Sequence, residues 1–426
     1  MNTSIDRLED AGDGRRTKRV VTISLMLFLA TLVGYIARAN VSVALPFVAE
    51  EYHWDSEKLG ELGGVLLGIF LVGYGISNIF MSPLIDHIGP KKSLALAVFS
   101  WSILTFATGL FGAVVGAFIL ARFLLGLSQG PLFPSASKIV STWFPLSGRA
   151  RINALYLSTG FLSNLLVPII FIPLIIVTSW QFMFYFVAIV GFILLIPLWL
   201  FIPDISDKSC FKDGQKTTLG GLFAVIKENV VSALRIRGLF VITIAFLAIN
   251  MAWWGLSLWL PTYLIVAKGL AVEELIWAAS LPYLGGIFGM YVGSWISDHT
   301  GKRVEIAFAF AVCDAILLVI MIFTFSENLI ILVAAGIFFF LGVMAPTSFT
   351  LLQSVAPTCL VGSATGIMNG IANGAAVLGP IILGFAVAIT SSYDIGLVLL
   401  AAFQITGALL LLAFPRALLE KENHSK

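Results

Sequence analysis

The chain has 426 residues, 59% of them hydrophobic and only 11% charged, with a mean hydropathy of +1.00. A soluble domain carries roughly 25% charged residues to cover its surface, so this composition excludes one. A net charge of +2 is uninformative as a total, no nucleic-acid partner is expected, and Cys210, Cys313, Cys359 and four dispersed histidines suggest neither a disulfide framework nor a metal-binding cluster.

Residues 1–19 are polar, with five basic side chains. The apolar run after them is too long for the core of a signal peptide, so they are expected to remain as a cytoplasmic tail. Runs near the ~20 residues needed to cross a bilayer follow at 20–45, 59–82, 91–111, 113–139, 150–175 and 180–202. Segment 203–235, the longest polar stretch, is expected to be a cytoplasmic linker. Six more runs lie at 236–265, 276–297, 304–325, 329–352, 362–386 and 394–414, before a polar tail at 415–426. Only helices or closed barrels satisfy their backbones in lipid, and continuous rather than alternating apolar runs select helices. The fold class is therefore an all-α membrane protein with twelve transmembrane helices. Placing the N-terminus inside puts 20 of the 25 Lys and Arg on cytoplasmic segments, which orients both termini to the cytoplasm.

The two sets of six spans repeat. Asp86-His-Ile-Gly-Pro-Lys-Lys recurs 212 residues later as Asp298-His-Thr-Gly-Lys-Arg, and Pro134, Pro145 and Pro168 match Pro346, Pro357 and Pro380 at the same offset. Residues 20–202 and 236–414 thus read as two pseudo-symmetric six-helix bundles in parallel, an arrangement that places a substrate site at the midplane between them. No glycine-rich phosphate loop is present, which argues against ATP-driven transport, and no buried histidine or paired-carboxylate set suggests an enzyme.

Arg38 lies inside the first span with Tyr35 about one turn before it and Ser42 one turn after, and no acidic residue in that span neutralises it. Burying a guanidinium in hydrocarbon costs at least ~2.5–3.5 kcal/mol, so it needs an anionic partner or a wet cavity. A transported anion is the simplest partner, because the planar fork of donors matches a carboxylate and stays charged. A helix carbonyl or lipid phosphate is the alternative. Asn369 and Asn373 stand four apart and share a helix face. Tyr35 and Tyr74 are expected to turn hydroxyls into the same cavity, with Asn250 and Tyr283 as further candidates, although such residues also join membrane helices.

The Asp86–Lys92 and Asp298–Arg303 loops resemble the signature loops of the major facilitator superfamily. Within it, "YIARANVSVALPFV", "RFLLGLSQGPLFPSASKIVSTWFP" and "WWGLSLWLPTYL" resemble the anion:cation symporter family of bacterial sugar-acid transporters and animal vesicular carriers. The resemblance covers essentially the whole chain. It implies the major facilitator fold, a substrate carboxylate met by Arg38, a functional arginine at Arg122, and no cofactor. It also implies a monomer, located in the inner (plasma) membrane of a bacterium, that imports a small organic anion with H+ or Na+. Asp86 and Asp298, each followed by basic residues, imply latches that hold one conformer closed.

Two positions depart from the family pattern. Its aspartate before the first-span arginine is Ala37 here, and its protonatable glutamate seven residues after Arg122 is Gln129. Neither can carry a proton, so exchange or uniport stays beside cation coupling; Gln129 is expected to bond the substrate or Arg38. Trp253 stands where related organophosphate/phosphate exchangers use a second arginine, which suits a monocarboxylate on an organic body. Trp253 and Trp254 also suit helix packing. Asp314 is the remaining membrane-depth carboxylate; the fold implied by the resemblance places it away from the cavity, which favours a structural or lipid-edge role over that of a proton carrier.

Overall fold

The computed structural model describes residues 13–144, 152, 155–204, 231–300, 303–355 and 361–412, and every regular element among them is a helix. In order these are α1 (Asp13–Glu51), α2 (Ser56–Ile88), α3 (Pro90–Phe111), α4 (Val115–Gln129), α5 (Leu132–Trp143), α6 (Thr159–Val177), α7 (Trp180–Phe201), α8 (Leu239–Val266), α9 (Val272–Ala278), α10 (Pro282–Thr300), α11 (Arg303–Ile322), α12 (Glu327–Val355), α13 (Val361–Ala375), α14 (Leu378–Thr390) and α15 (Asp394–Leu412). They make twelve spans long and apolar enough to cross a membrane. Three spans are discontinuous: α4 with α5, α9 with α10, and α13 with α14. An even number of crossings puts both described ends on one face, here called the terminal face.

Prolines shape several of these helices. The sequence reading stops the first span at 45, before Pro46, yet α1 runs on to Glu51. A proline removes one backbone N–H and so releases the carbonyl four residues earlier. In lipid that carbonyl needs another donor, and hydroxyls from neighbouring helices serve. Pro131, at the break between α4 and α5, releases the carbonyl of Leu127, to which the Ser77 hydroxyl of α2 donates at 2.6 Å. Pro261 inside α8 releases that of Ser257, to which the Tyr283 hydroxyl of α10 donates at 3.2 Å. Tyr283 is therefore occupied in the helix framework and buried, and does not offer its hydroxyl to a cavity. Asn250, also expected there, donates to the Phe246 carbonyl of its own helix.

The internal repeat is visible in packing. The α3·α7 contact has its counterpart in α11·α15, α2·α4 in α10·α12, and α1·α7 in α8·α15. Glu51 accepts from the Trp180 indole and from Gln181 Nε2. The residues 212 positions on from Glu51 and Gln181 are Tyr263 and Tyr393, whose rings also meet, with centroids 5.3 Å apart. Linker residues 205–230 lie outside the described residues.

The two sets of helices meet mainly along α2, which packs on α13 and α14, with α1 on α8 and α6 on α9 and α10. Glycines make that approach possible. A Cβ on Gly60 or Gly384 would collide with the other's backbone, one on Gly64 would lie 3.0 Å from Pro380 O, and one on Gly75 2.6 Å from Gly374 Cα. Across α6 and α10, the Phe161 ring occupies the notch left by Gly286. Gly60 and Gly384 lie near the face opposite the termini, so that face is the sealed one. No comparable packing joins α5 to α12 or α13 among the described residues. The outer perimeter carries exposed apolar side chains such as Leu200, Phe240, Phe288 and Leu332, as a lipid-facing surface requires.

Replacing Gly384 with valine should prevent this close approach. In a cysteine-free background, a single cysteine at Ala388 should then react faster with an impermeant maleimide than it does beside native Gly384; an unchanged rate would show that the seam tolerates the added volume.

Candidate functional site

Arg38 on α1 and Gln129 at the end of α4 form the centre of the candidate site. Arg38 is 2% exposed and Gln129 is fully buried. The Arg38 Nε donates to Gln129 Oε1 at 2.6 Å, and Gln129 Nε2 donates onward to the Gly34 carbonyl of α1 at 3.1 Å. Gln129 thus holds the guanidinium without neutralising it. Arg38 Nη2 is buried and has no protein partner. Among the described residues no carboxylate pairs with Arg38 or Arg122.

Aromatic rings enclose the charge. The Arg38 guanidinium carbon lies 4.4 Å from the Tyr74 ring centroid, 4.6 Å from Tyr35, 5.2 Å from Phe70 and 5.5 Å from Phe133. Ring quadrupoles stabilise a cation held over their faces, and more so once water is excluded. Phe70 and Phe133 were not among the residues singled out from the sequence. The four-residue spacing from Phe70 to Tyr74, one face of one helix, is the signal that could have found Phe70.

Arg122 is anchored differently. Its Nη1 and Nη2 donate to the carbonyls of Ala37 and Arg38, at 3.0 and 2.8 Å. It therefore fastens α4 to the backbone of α1 beside Arg38, and the buried Ala37 supplies only a carbonyl.

The other half contributes a neutral chain of hydrogen bonds. Trp254 Nε1 of α8 donates to Asn373 Oδ1 at 3.1 Å, and Asn373 Nδ2 donates to Asn369 Oδ1 at 2.8 Å. Trp253 packs into an aromatic cluster, with its ring 4.7 Å from Phe161, 5.4 Å from Phe338 and 6.1 Å from Tyr283. Of the two tryptophans, Trp254 carries the polar contact and Trp253 the contact to α6.

Two places bring the halves of the constellation together. Gly75, one residue after Tyr74, rests on Gly370 and Gly374, each one residue after Asn369 and Asn373. Gly160, one residue before Phe161, faces the Tyr35 ring, which a Cβ there would meet at 3.3 Å. Tyr35 and Phe133, whose rings lie against the buried Arg38, are half-buried, as are Trp253 and Asn369 of the other half. Asp86 and Asp298 each stand two residues before the end of α2 and α10, and their side chains lie outside the described residues. A groove of about 540 Å³ between α3 and α7, lined by Lys92, Phe99, Ile196 and Trp199 among others, shares no residue with this constellation.

A family model described as the Major Facilitator Superfamily matches residues 27–380. The chain is 26% identical to the hexuronate transporter of Bacillus subtilis (strain 168), covering 95% of this chain and 97% of that protein. It is 29% identical to the probable galactarate/D-glucarate transporter GudP of the same organism, covering 96% of each. It is 28% identical to the probable sulfoacetate transporter SauU of Cupriavidus necator (strain ATCC 17699), covering 91% of this chain and 89% of that one. Among solved structures, a bacterial homolog of the human lysosomal transporter Spinster, inward-facing and occupied, superposes with a TM-score of 0.70 at 16% identity, covering 92% of this chain and 96% of that chain.

The Arg38–Gln129 bond sets a prediction. Losing a hydrogen bond to a charged group costs about 1.5–3 kcal/mol, or roughly ten- to a hundredfold in affinity. Gln129→Leu should weaken anion binding by that range in calorimetric titration, and Gln129→Glu should weaken it further by neutralising Arg38. Tighter binding in the Glu variant would contradict an anion site at Arg38.

Proposed function

The chain belongs to the Major Facilitator Superfamily, and on that premise we propose that it moves a small organic anion, of the sugar-acid or related carboxylate class, by alternating access. It is a multi-pass membrane transporter and not an enzyme. The observation that carries the anion reading is Arg38: fully buried, held by a neutral amide, ringed by aromatics, with Nη2 directed at no protein acceptor. A carboxylate supplies the missing charge and acceptor together. Relatives named for hexuronate, galactarate/D-glucarate and sulfoacetate transport support the class. A doubly charged phosphate fits less well, because Trp253 and the Trp254–Asn373–Asn369 chain bring no second cation.

The proposed path runs between the two sets of helices. Arg38, Gln129, Tyr35 and Tyr74 engage the acid group, and Asn369 and Asn373 the polar body of the cargo, with Trp253 as an apolar wall. Arg122 keeps Arg38 in register by pinning α1. Asp86 and Asp298 act as latches on the terminal face. The distribution of Lys and Arg supports a cytoplasmic terminal face and an inner (plasma) membrane location. The sealed glycine seam then lies on the outside, and the conformer is one closed to the exterior.

Cation-coupled import is the family-level expectation. A second reading, exchange or uniport without a proton, is favoured by Ala37 and Gln129: neither is a carboxylate, and the described constellation holds no Asp, Glu or His. Reconstituted into liposomes, the protein should take up labelled glucuronate or galactonate, and Arg38→Ala should abolish that uptake. Arg38→Lys should retain little of it, since a point charge does not replace the fork. An imposed pH gradient that drives accumulation would select symport; accumulation driven only by internal anion would select exchange. Uptake unaffected by Arg38→Ala would overturn the site.

A further inference from the structure

Asp314 and Gln404 lie outside everything assigned so far. They sit near the midpoints of α11 and α15, which pack together at the edge of the molecule, and they are 0% and 1% exposed. Gln404 Nε2 donates to Asp314 Oδ2 at 2.9 Å. The remaining oxygens of the pair, Asp314 Oδ1 and Gln404 Oε1, are both buried and without a partner. On an ionised Asp314 both are acceptors, and native interiors rarely leave buried acceptors unmatched.

One proton removes both defects. Placed on Oδ1, it is donated to Gln404 Oε1, while Oδ2 goes on accepting from Nε2, giving a closed ring of two hydrogen bonds between a carboxylic acid and a primary amide. Among the described residues no cation bonds either free oxygen of the pair. Within α12 and α15 the only charged residues are Glu327 and Asp394, at their first positions. On α11, Arg303 and Glu305 lie at the other end, with Glu305 about 13 Å along the axis from Asp314 at 1.5 Å per residue, and Cys313 is adjacent in sequence. Tyr263 and Lys268 reach the far end of α11, bonding the carbonyls of Met321 and Ile322. Neighbouring α10 carries Asp298 and His299 near the terminal face, with Tyr283 and Tyr291 in its span; α8 adds only Tyr263 and α14 none.

The internal repeat shows that packing alone does not demand this pair. The position equivalent to Asp314 is Ser102 on α3, which bonds its own helix at Val98 O and faces Gly191 of α7. The same helix–helix contact is thus made in the first half without an acid or an amide. An ionisable residue at membrane depth is by default a functional site with a named partner.

We propose that Asp314 is a resident proton-binding site, its carboxyl kept as the neutral acid in a two-hydrogen-bond ring with Gln404 that fastens α11 to α15. The proton is stationary: it is taken up as the helices pack and is not exchanged during transport. The assignment does not depend on the identity of the cargo. Infrared difference spectra of wild type minus Asp314→Asn, in lipid bilayers at neutral pH, should show a protonated-carboxyl C=O band that shifts in D2O and moves in Gln404→Leu. Asp314→Asn should keep the thermal midpoint, since asparagine offers Gln404 the same donor and acceptor, whereas Asp314→Leu should lower it. A carboxylate band in that difference, or equal midpoints for the Asn and Leu variants, would overturn the ring. Loss of substrate-driven proton uptake in a well-folded Asp314→Asn protein would overturn the stationary role and make the proton a moving one.

Discussion

A guanidinium buried at membrane depth without a carboxylate is the constraint around which the first half is organised. Removed from water, Arg38 must be compensated by dipoles and quadrupoles, and each neighbour supplies some of that. Gln129 gives an amide oxygen, Tyr35, Tyr74, Phe70 and Phe133 give ring faces, and Gln129 is itself fixed by the Gly34 carbonyl. Arg122 imposes the same demand a few ångströms away and meets it with backbone carbonyls of α1. The four elements α1, α2, α4 and α5 are thereby cross-linked through two cations.

The second constraint is backbone hydrogen bonding in lipid. Kinks and breaks are needed to place side chains at the centre, and prolines provide them by deleting donors. Ser77 and Tyr283 then supply donors from adjacent helices to the carbonyls that Pro131 and Pro261 release. Glycines do the complementary work along α2, α13 and α14, where backbones meet too closely for any side chain.

Much of this was legible in the sequence, and the gaps have physical causes. Twelve spans and their two-fold repeat follow from hydropathy and from the spacing of Asp86 with Asp298, because lipid leaves the chain few alternatives. Arg38, Gln129, Asn369 and Asn373 stand out as polar residues in apolar runs, and the structure brings them into two connected groups. Phe70 and Phe133 do not stand out, since a phenylalanine over a cation and one facing lipid look alike in a string of letters. Tyr283 misleads for the opposite reason: its hydroxyl serves the framework, bonding the carbonyl that Pro261 releases, while Asn250 commits its amide nitrogen to its own helix. The acid–amide pairing of Asp314 with Gln404 joins residues 90 apart and has no local signature.

The unneutralised charges of Arg38 and Arg122 also have an electrical side. Both belong to the same cross-linked group of helices, and any rocking of that group relative to the bilayer carries them through part of the transmembrane field. One elementary charge crossing the whole field gains or loses about 2.3 kcal/mol per 100 mV, so even a small fraction of that path weighs on an equilibrium between two conformers. If a monovalent anion binds Arg38 as proposed, it would cancel one of these two charges, and voltage would then weigh differently on the empty and the loaded carrier even where no ion is coupled to it.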